Sequence, residues 1–160
     1  MTFLATIFEL RFLISMAAVG GLAFELLWAL DFLFTVGAIL IGSHLTGFTD
    51  YMFDPNLSIW LRVIALFHLA LPPLLIWLIL RLGYNSRVWV VQVVLTWSVL
   101  LVTWFFTDPS LNINLVFTHM KFEHPNIGAI PFLIMVLVVD GMLIYGTHLF
   151  LRAFCKRYSR

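Results

Sequence analysis

The residues of this chain that could do chemistry are few, and most fall inside or at the rim of long apolar runs. Glu25 and Asp31 lie in the first run, His68 in the second, and Asp140 and His148 in the last. An ionisable group at the centre of a membrane span costs at least about 2.5–3.5 kcal/mol, so each needs a partner or a task. Glu25 and Asp31 are six positions apart, hence about 120° apart around a helix, and cannot form one carboxylate pair. Each is expected to hydrogen-bond a neighbouring helix. His68 stands before Leu71-Pro72-Pro73, and the two prolines deprive the carbonyls of His68 and Leu69 of their helical donors. Bare carbonyls beside an imidazole can build a polar pocket, and they can equally mark a plain bend. Asp140, the most central charge, is expected to find a partner at its own depth, Thr96 or His68; a proton relay is the sharper reading. His68 and His148 differ in depth by about 15 Å, which excludes a bis-histidine haem.

Two segments outside the apolar runs, 43–59 and 107–128, carry the other candidates. His44, Asp50 and Asp54 offer imidazole and oxygen ligands for a divalent cation, and Asp108, Asn112 and Asn114 could flank a polar headgroup. Asp and Asn are also ordinary turn and capping residues, and Asp-Pro occurs at both 54–55 and 108–109. His119, Glu123 and His124 follow, but the histidines are five apart, about 140° around a helix, and no HExxH spacing is present.

The elements that must position these groups follow from composition. The chain is 62% hydrophobic and 11% charged, with mean hydropathy +1.05; soluble domains carry roughly 45–50% and 25%. A water-soluble globular domain is excluded. Nine Lys+Arg against eight Asp+Glu leave no basic field for nucleic acid. The single Cys155 excludes an internal disulfide or a cysteine metal cluster. A bilayer core about 30 Å thick needs roughly 20 apolar residues per helix. Spans are expected at about 10–33, 60–80, 88–106 and 130–154. The fold class is therefore all-α, an integral membrane helical bundle of about four transmembrane helices plus a re-entrant or interfacial segment, as one domain. That extra segment is assigned to 34–42, broken at Gly37 and Gly42, because the first apolar run is about 46 Å long as a single helix. A break at Gly20-Gly21 is the rival division.

Gln92, Thr96, Thr103 and Thr107 share one helical face and are expected to hydrogen-bond an adjacent helix. Gly141, Tyr145, His148 and Arg152 share another. Arg11, Arg81, Arg87, Arg152, Lys156, Arg157 and Arg160 gather at the ends expected on one side, and Asp50, Asp54, Asp108 and Glu123 on the other. Short cytoplasmic loops collect Lys and Arg, so both termini are expected in the cytoplasm. The start is a poor match to a cleavable signal, and the apolar residues 2–8 read as the tail of an earlier hydrophobic element.

Taken in order, several strings resemble an uncharacterised bacterial family described only as membrane-associated proteins. They are Phe24-Glu25-Leu26-Leu27-Trp28-Ala29-Leu30-Asp31-Phe32-Leu33, Thr49-Asp50-Tyr51-Met52-Phe53-Asp54-Pro55, Leu66-Phe67-His68-Leu69-Ala70-Leu71-Pro72 and Arg81-Leu82-Gly83-Tyr84. The later pieces Thr107-Asp108-Pro109, Asn112-Ile113-Asn114-Leu115-Val116-Phe117 and Thr147-His148-Leu149 extend the likeness over most of the chain. Members usually carry more hydrophobic sequence before the position of Met1, and a Trp where this chain has Leu115. The resemblance implies a bacterial inner membrane. It draws attention to Asp31, Asp50, Asp54, His68, Asp108, Asn112, Asn114 and His148. It implies no activity and no cofactor.

Three functions fit these residues. The first is a non-catalytic subunit or assembly partner of a membrane complex, suggested by the small size and the lack of a catalytic signature. The second is a membrane-embedded enzyme, or a metal- or lipid-binding site, at the outer face. The third is a small proton-coupled transporter using Glu25 or Asp140. Membrane lipids are the expected partners in each case, with a second protein or another copy of the chain beside them. A cavity uniting His68 with the outer carboxylates Asp50, Asp54 and Asp108 would favour the second.

Overall fold

The structure, a computed structural model, describes residues 2–43, 47–111, 113–117 and 128–158, with side chains from residue 10 onward and Leu115 excepted. The expected sites His44, Asn112, His119, Glu123 and His124 lie outside the described residues. Five α-helices form four membrane-capable spans, and no strand occurs among the described residues. They are α1 (Thr2–Leu40), α2 (Ile59–Ala65), α3 (Phe67–Leu82), α4 (Val88–Phe106) and α5 (Ala129–Tyr158).

The first helix differs from expectation. It runs unbroken through Gly20, Gly21 and Gly37, so 34–40 is part of α1 and not a separate interfacial segment. A glycine inside a helix costs about 1 kcal/mol against alanine, too little to stop a helix whose backbone has no water to turn to. The stop comes at Gly42, whose φ of +72° is left-handed. There the Gly42 N–H reaches the Ile39 carbonyl at 3.0 Å and the Ser43 N–H reaches that of Ala38 at 2.9 Å. This is the paired closure that satisfies the last carbonyls of a helix.

The second span is α2 and α3 joined through one tight turn at Leu66. Leu66 N–H donates to Val63 and Leu69 N–H to Leu66, both three residues back. Pro72 and Pro73 lie inside α3. Their rings crowd the carbonyls one turn earlier, and the chain takes up the strain by tightening just before His68. The span α4 ends at Thr107, which is extended ahead of Asp108-Pro109, since a residue before proline is pushed out of the helical region. Pro131 sits in the first turn of α5, where an N–H would have no helical acceptor anyway.

Packing is uneven along the bundle. The helix α1 contacts α3 most extensively and also α4 and α5. The main core joins Ala18, Val19 and Leu22 of α1 to Leu75 and Ile79 of α3, Val88 of α4 and Ile144 and Leu151 of α5. All of these lie toward the end that holds Arg81, Arg87 and Arg152. At the other end the buried cluster among the described residues is Leu100, Val116 and Leu133, with Trp104 and Phe117 stacked beside it. Glycines permit close helix contact on the α1–α4 and α4–α5 seams. A side chain on Gly20 would land on the Gln92 amide, and Trp97 lies over Gly141. Outward faces carry Phe34, Leu40, Trp60, Phe105, Phe106 and Met142, all largely exposed, as a lipid-facing surface requires.

The two glycines of the first helix end make a direct comparison. Gly42→Ala should cost about 1–2 kcal/mol, the penalty of a left-handed non-glycine residue. Gly37→Ala, with open space around it, should cost nothing. Unfolding of both variants in detergent micelles measures the difference, and equal stabilities would contradict the capping role of Gly42.

Candidate functional site

Where the bundle packs less densely, α1, α3, α4 and α5 leave a cleft of about 620 Å³. Phe24, Leu27, Phe132, Met135, Val136 and Val139 make most of its wall. The polar groups reaching it are His68, Tyr51, Asn114 and Asp140.

Glu25 on α1 meets His68 on α3, with Oε2 2.5 Å from Nδ1. The contact is mostly buried, the side chains being 13% and 25% exposed. The tight turn at Leu66 and the prolines after it set the His68 ring between two aromatics. Trp28 stacks at 4.6 Å between centroids, and Phe67 lies tilted at 3.9 Å. Trp28 in turn donates from Nε1 to the Tyr51 hydroxyl at 3.1 Å, tying the 43–58 connection to the same wall. The imidazole is thus fixed in orientation. With Nδ1 turned to Glu25, Nε2 is the ring nitrogen left without a partner in this pair.

Asp140 stands in the opposite wall and is 7% exposed. Its Oδ2 has no hydrogen-bond partner among the described residues. The partner expected for it, Thr96 or His68, is therefore engaged elsewhere: Thr96 accepts from Gln92 at 3.1 Å, and His68 is held by Glu25. Asn114, at a left-handed φ of 56°, donates from Nδ2 to Thr103 Oγ1 at 2.9 Å and lines the cleft. The polar face expected on 88–106 bonds mostly within its own helix. Gln92 reaches Thr96, and Thr107 reaches the Thr103 carbonyl, because these i, i+4 acceptors are closer than any neighbouring helix.

The other acidic candidates do not join the cleft. Asp31 accepts from both the backbone N–H and the hydroxyl of Thr49, each at 2.8 Å, and so bonds a loop rather than a helix. Thr49 is completely buried. Gly47 lies against the Asp31 carboxylate so closely that any side chain there would displace it. Asp50 accepts the Gly47 N–H at 2.9 Å, and Asp54 accepts from Asn56. Asp108 accepts from Ser110, which holds its carboxyl below the usual carboxylate range. These are turn and capping roles. Among the described residues no three His, Cys, Asp or Glu side chains gather to hold a metal ion.

His148 belongs to a separate network at the opposite end. Its Nδ1 lies 2.7 Å from the Tyr84 hydroxyl. Burial, with Cys155 adding to it, pushes the Tyr84 phenol above its ordinary value, so the hydroxyl stays protonated and donates. Trp89 and Tyr145 border the ring. Sequence reasoning did not pair Glu25 with His68, and it did not single out Trp28, Tyr51 or Tyr84. A signal for the first pair was present: counted from the basic end, Glu25 and His68 stand 15 and 14 residues into their spans. No family model, curated protein or solved structure matches this chain.

The turn assignments separate two aspartates that look alike in sequence. Asp31→Ala strands the buried Thr49 N–H and hydroxyl, and should lower stability by about 2–3 kcal/mol. Asp108→Ala, at an exposed turn, should change it little. Denaturation of the two variants in the same detergent checks this, and equal losses would contradict the assignment.

Proposed function

We propose that this chain is a multi-pass protein of a bacterial inner membrane, with both termini cytoplasmic, that holds a lipid-like amphiphile in the Glu25–His68 cleft. The location rests on the resemblance noted above and on the gathering of Arg81, Arg87, Arg152, Lys156 and Arg157 at one end of the bundle. The binding role rests on one observation: an apolar cleft of about 620 Å³ reached by few polar side chains, among them a His68 ring held in place by Glu25. Mostly apolar cavities of this size, with a small number of placed polar groups, suit small-molecule ligands.

The polar groups also define the head the ligand should carry. His68 and Asn114 reach the cleft, and Asp140 stands in its wall. An imidazole and an amide suit a head that hydrogen-bonds, such as a hydroxyl or an amine. The apolar walls take the chain or ring system.

The same pair supports the enzyme reading at the outer face. An imidazole oriented by a carboxylate is arranged to take a proton from a hydroxyl bound in the cleft. The subunit reading draws on the near absence of mass outside the spans, and the amphiphile would then be a structural lipid beside a partner chain. The transporter reading draws on Asp140 in the cleft wall and on Glu25 behind the His68 ring.

Gentle detergent extraction followed by native mass spectrometry tests the binding role. The wild-type chain should carry one amphiphile per copy. Val139→Phe, which fills the cleft, should remove it, and His68→Ala should lower its occupancy several-fold with the fold retained. A chain that carries no ligand, or one indifferent to both substitutions, would contradict the proposal.

A further inference from the structure

At the end of the bundle away from His68, a second cleft of about 410 Å³ opens where α1 begins its span and α3 and α5 end theirs. Its chemistry is the reverse of the first. Arg11, Arg152 and Lys156 line it together with Ser86, Tyr84 and Tyr158, and among the described residues no acidic side chain lines it. Arg11 is built in. Its Nη2 donates to the Tyr84 carbonyl at 2.7 Å, which fixes the guanidinium across the mouth of the 82–86 connection. Gly83, at a φ of +83°, passes so close that a side chain there would press on the Arg11 guanidinium. Arg11 Nε is buried and has no hydrogen-bond partner among the described residues. Asn85 N–H is meanwhile held by Ser15 Oγ at 2.9 Å, so the connection is anchored to α1 on both sides of the cleft.

Three cations around one cavity, with no carboxylate lining it among the described residues, repel one another, and an anion relieves that repulsion. Arg presents a planar donor fork suited to phosphate oxygens, and Lys adds a point charge. Basic pockets between helices at a membrane surface have the geometry to receive a phosphate-bearing head while its acyl chains stay in the bilayer. We propose that this cleft is a phosphate-binding site, occupied by the head of an anionic phospholipid or by a free phosphate group. The proposal is independent of the His68 cleft, which lies at the opposite end of the bundle.

The test is a native mass spectrometry titration of the full chain with phosphatidylglycerol, phosphatidylcholine and inorganic phosphate in separate arms. Arg152 and Lys156 are exposed, so Arg152→Gln combined with Lys156→Gln should leave the fold intact. Arg87→Gln combined with Arg157→Gln removes the same charge outside the cleft and serves as the control. Phosphatidylglycerol should bind at least tenfold more tightly than phosphatidylcholine, and the Arg152/Lys156 variant alone should lose that preference. Displacement by millimolar inorganic phosphate would identify free phosphate as the source, and its failure to displace would identify the lipid. Both outcomes support the site. Equal binding of the two lipids, or equal losses in the two double variants, would overturn it.

Discussion

The constraint on which this molecule depends is the absence of water in the hydrocarbon core. A polar group there must find its partner within the protein. That requirement keeps α1 helical through three glycines and closes its end with two backbone hydrogen bonds at Gly42. It ties Asp31 to Thr49, Asn114 to Thr103 and Glu25 to His68. Asp140 Oδ2 stands out against that background, buried and without a hydrogen-bond partner among the described residues.

The two ends of the bundle answer the constraint differently. Toward the basic end, small and branched residues on α1, α3 and α5 interlock, with Ala18, Val19, Ile79, Ile144 and Leu151 almost fully buried. The opposite half has a smaller buried cluster, and its aromatic side chains stack along α1 and the 43–58 connection, Trp28 on Phe32 and Phe32 on Phe53. These rings form a wall without filling the space in front of it. The result is a rigid half that sets helix positions and a more open half in which a ligand can sit. Each cleft also has its own polar groups, His68 and Asp140 in one, Arg11, Arg152 and Lys156 in the other.

Much of the fold was legible in the sequence because length and hydropathy alone decide which segments cross a bilayer. The expected span 88–106 has the bounds of α4, since an apolar run there is flanked by Arg87 and by Thr107-Asp108-Pro109. The first helix continues past the expected end at 33 because length alone, about 46 Å against a core of about 30 Å, does not break a helix, and glycine costs too little to do so. The site was legible only as a set of residues to be explained. Periodicity assigns Glu25 and Asp31 to different faces, yet it cannot say which helix lies opposite each. Asp31 and Asp108 both read as ionisable groups near a span end. One holds a buried threonine and the other caps an exposed turn, and that difference arises from the path of the connections between helices. Depth did carry information: Glu25 and His68 lie about 22 Å and 21 Å from the basic ends of their spans at 1.5 Å per residue. Matching depths along antiparallel helices pairs side chains that linear spacing leaves apart.

The central claim is that the Glu25–His68 cleft holds one kind of amphiphile selected by its head. Site-specific photo-crosslinking tests it directly. A benzophenone amino acid placed at Val139, inside the cleft, is compared in intact membranes with one at Val102, exposed on α4 and outside it. The account predicts a single dominant adduct mass at position 139, carrying a hydroxyl- or amine-bearing head, against a broad mixture of bulk lipids at position 102. The same bulk mixture at both positions would contradict it.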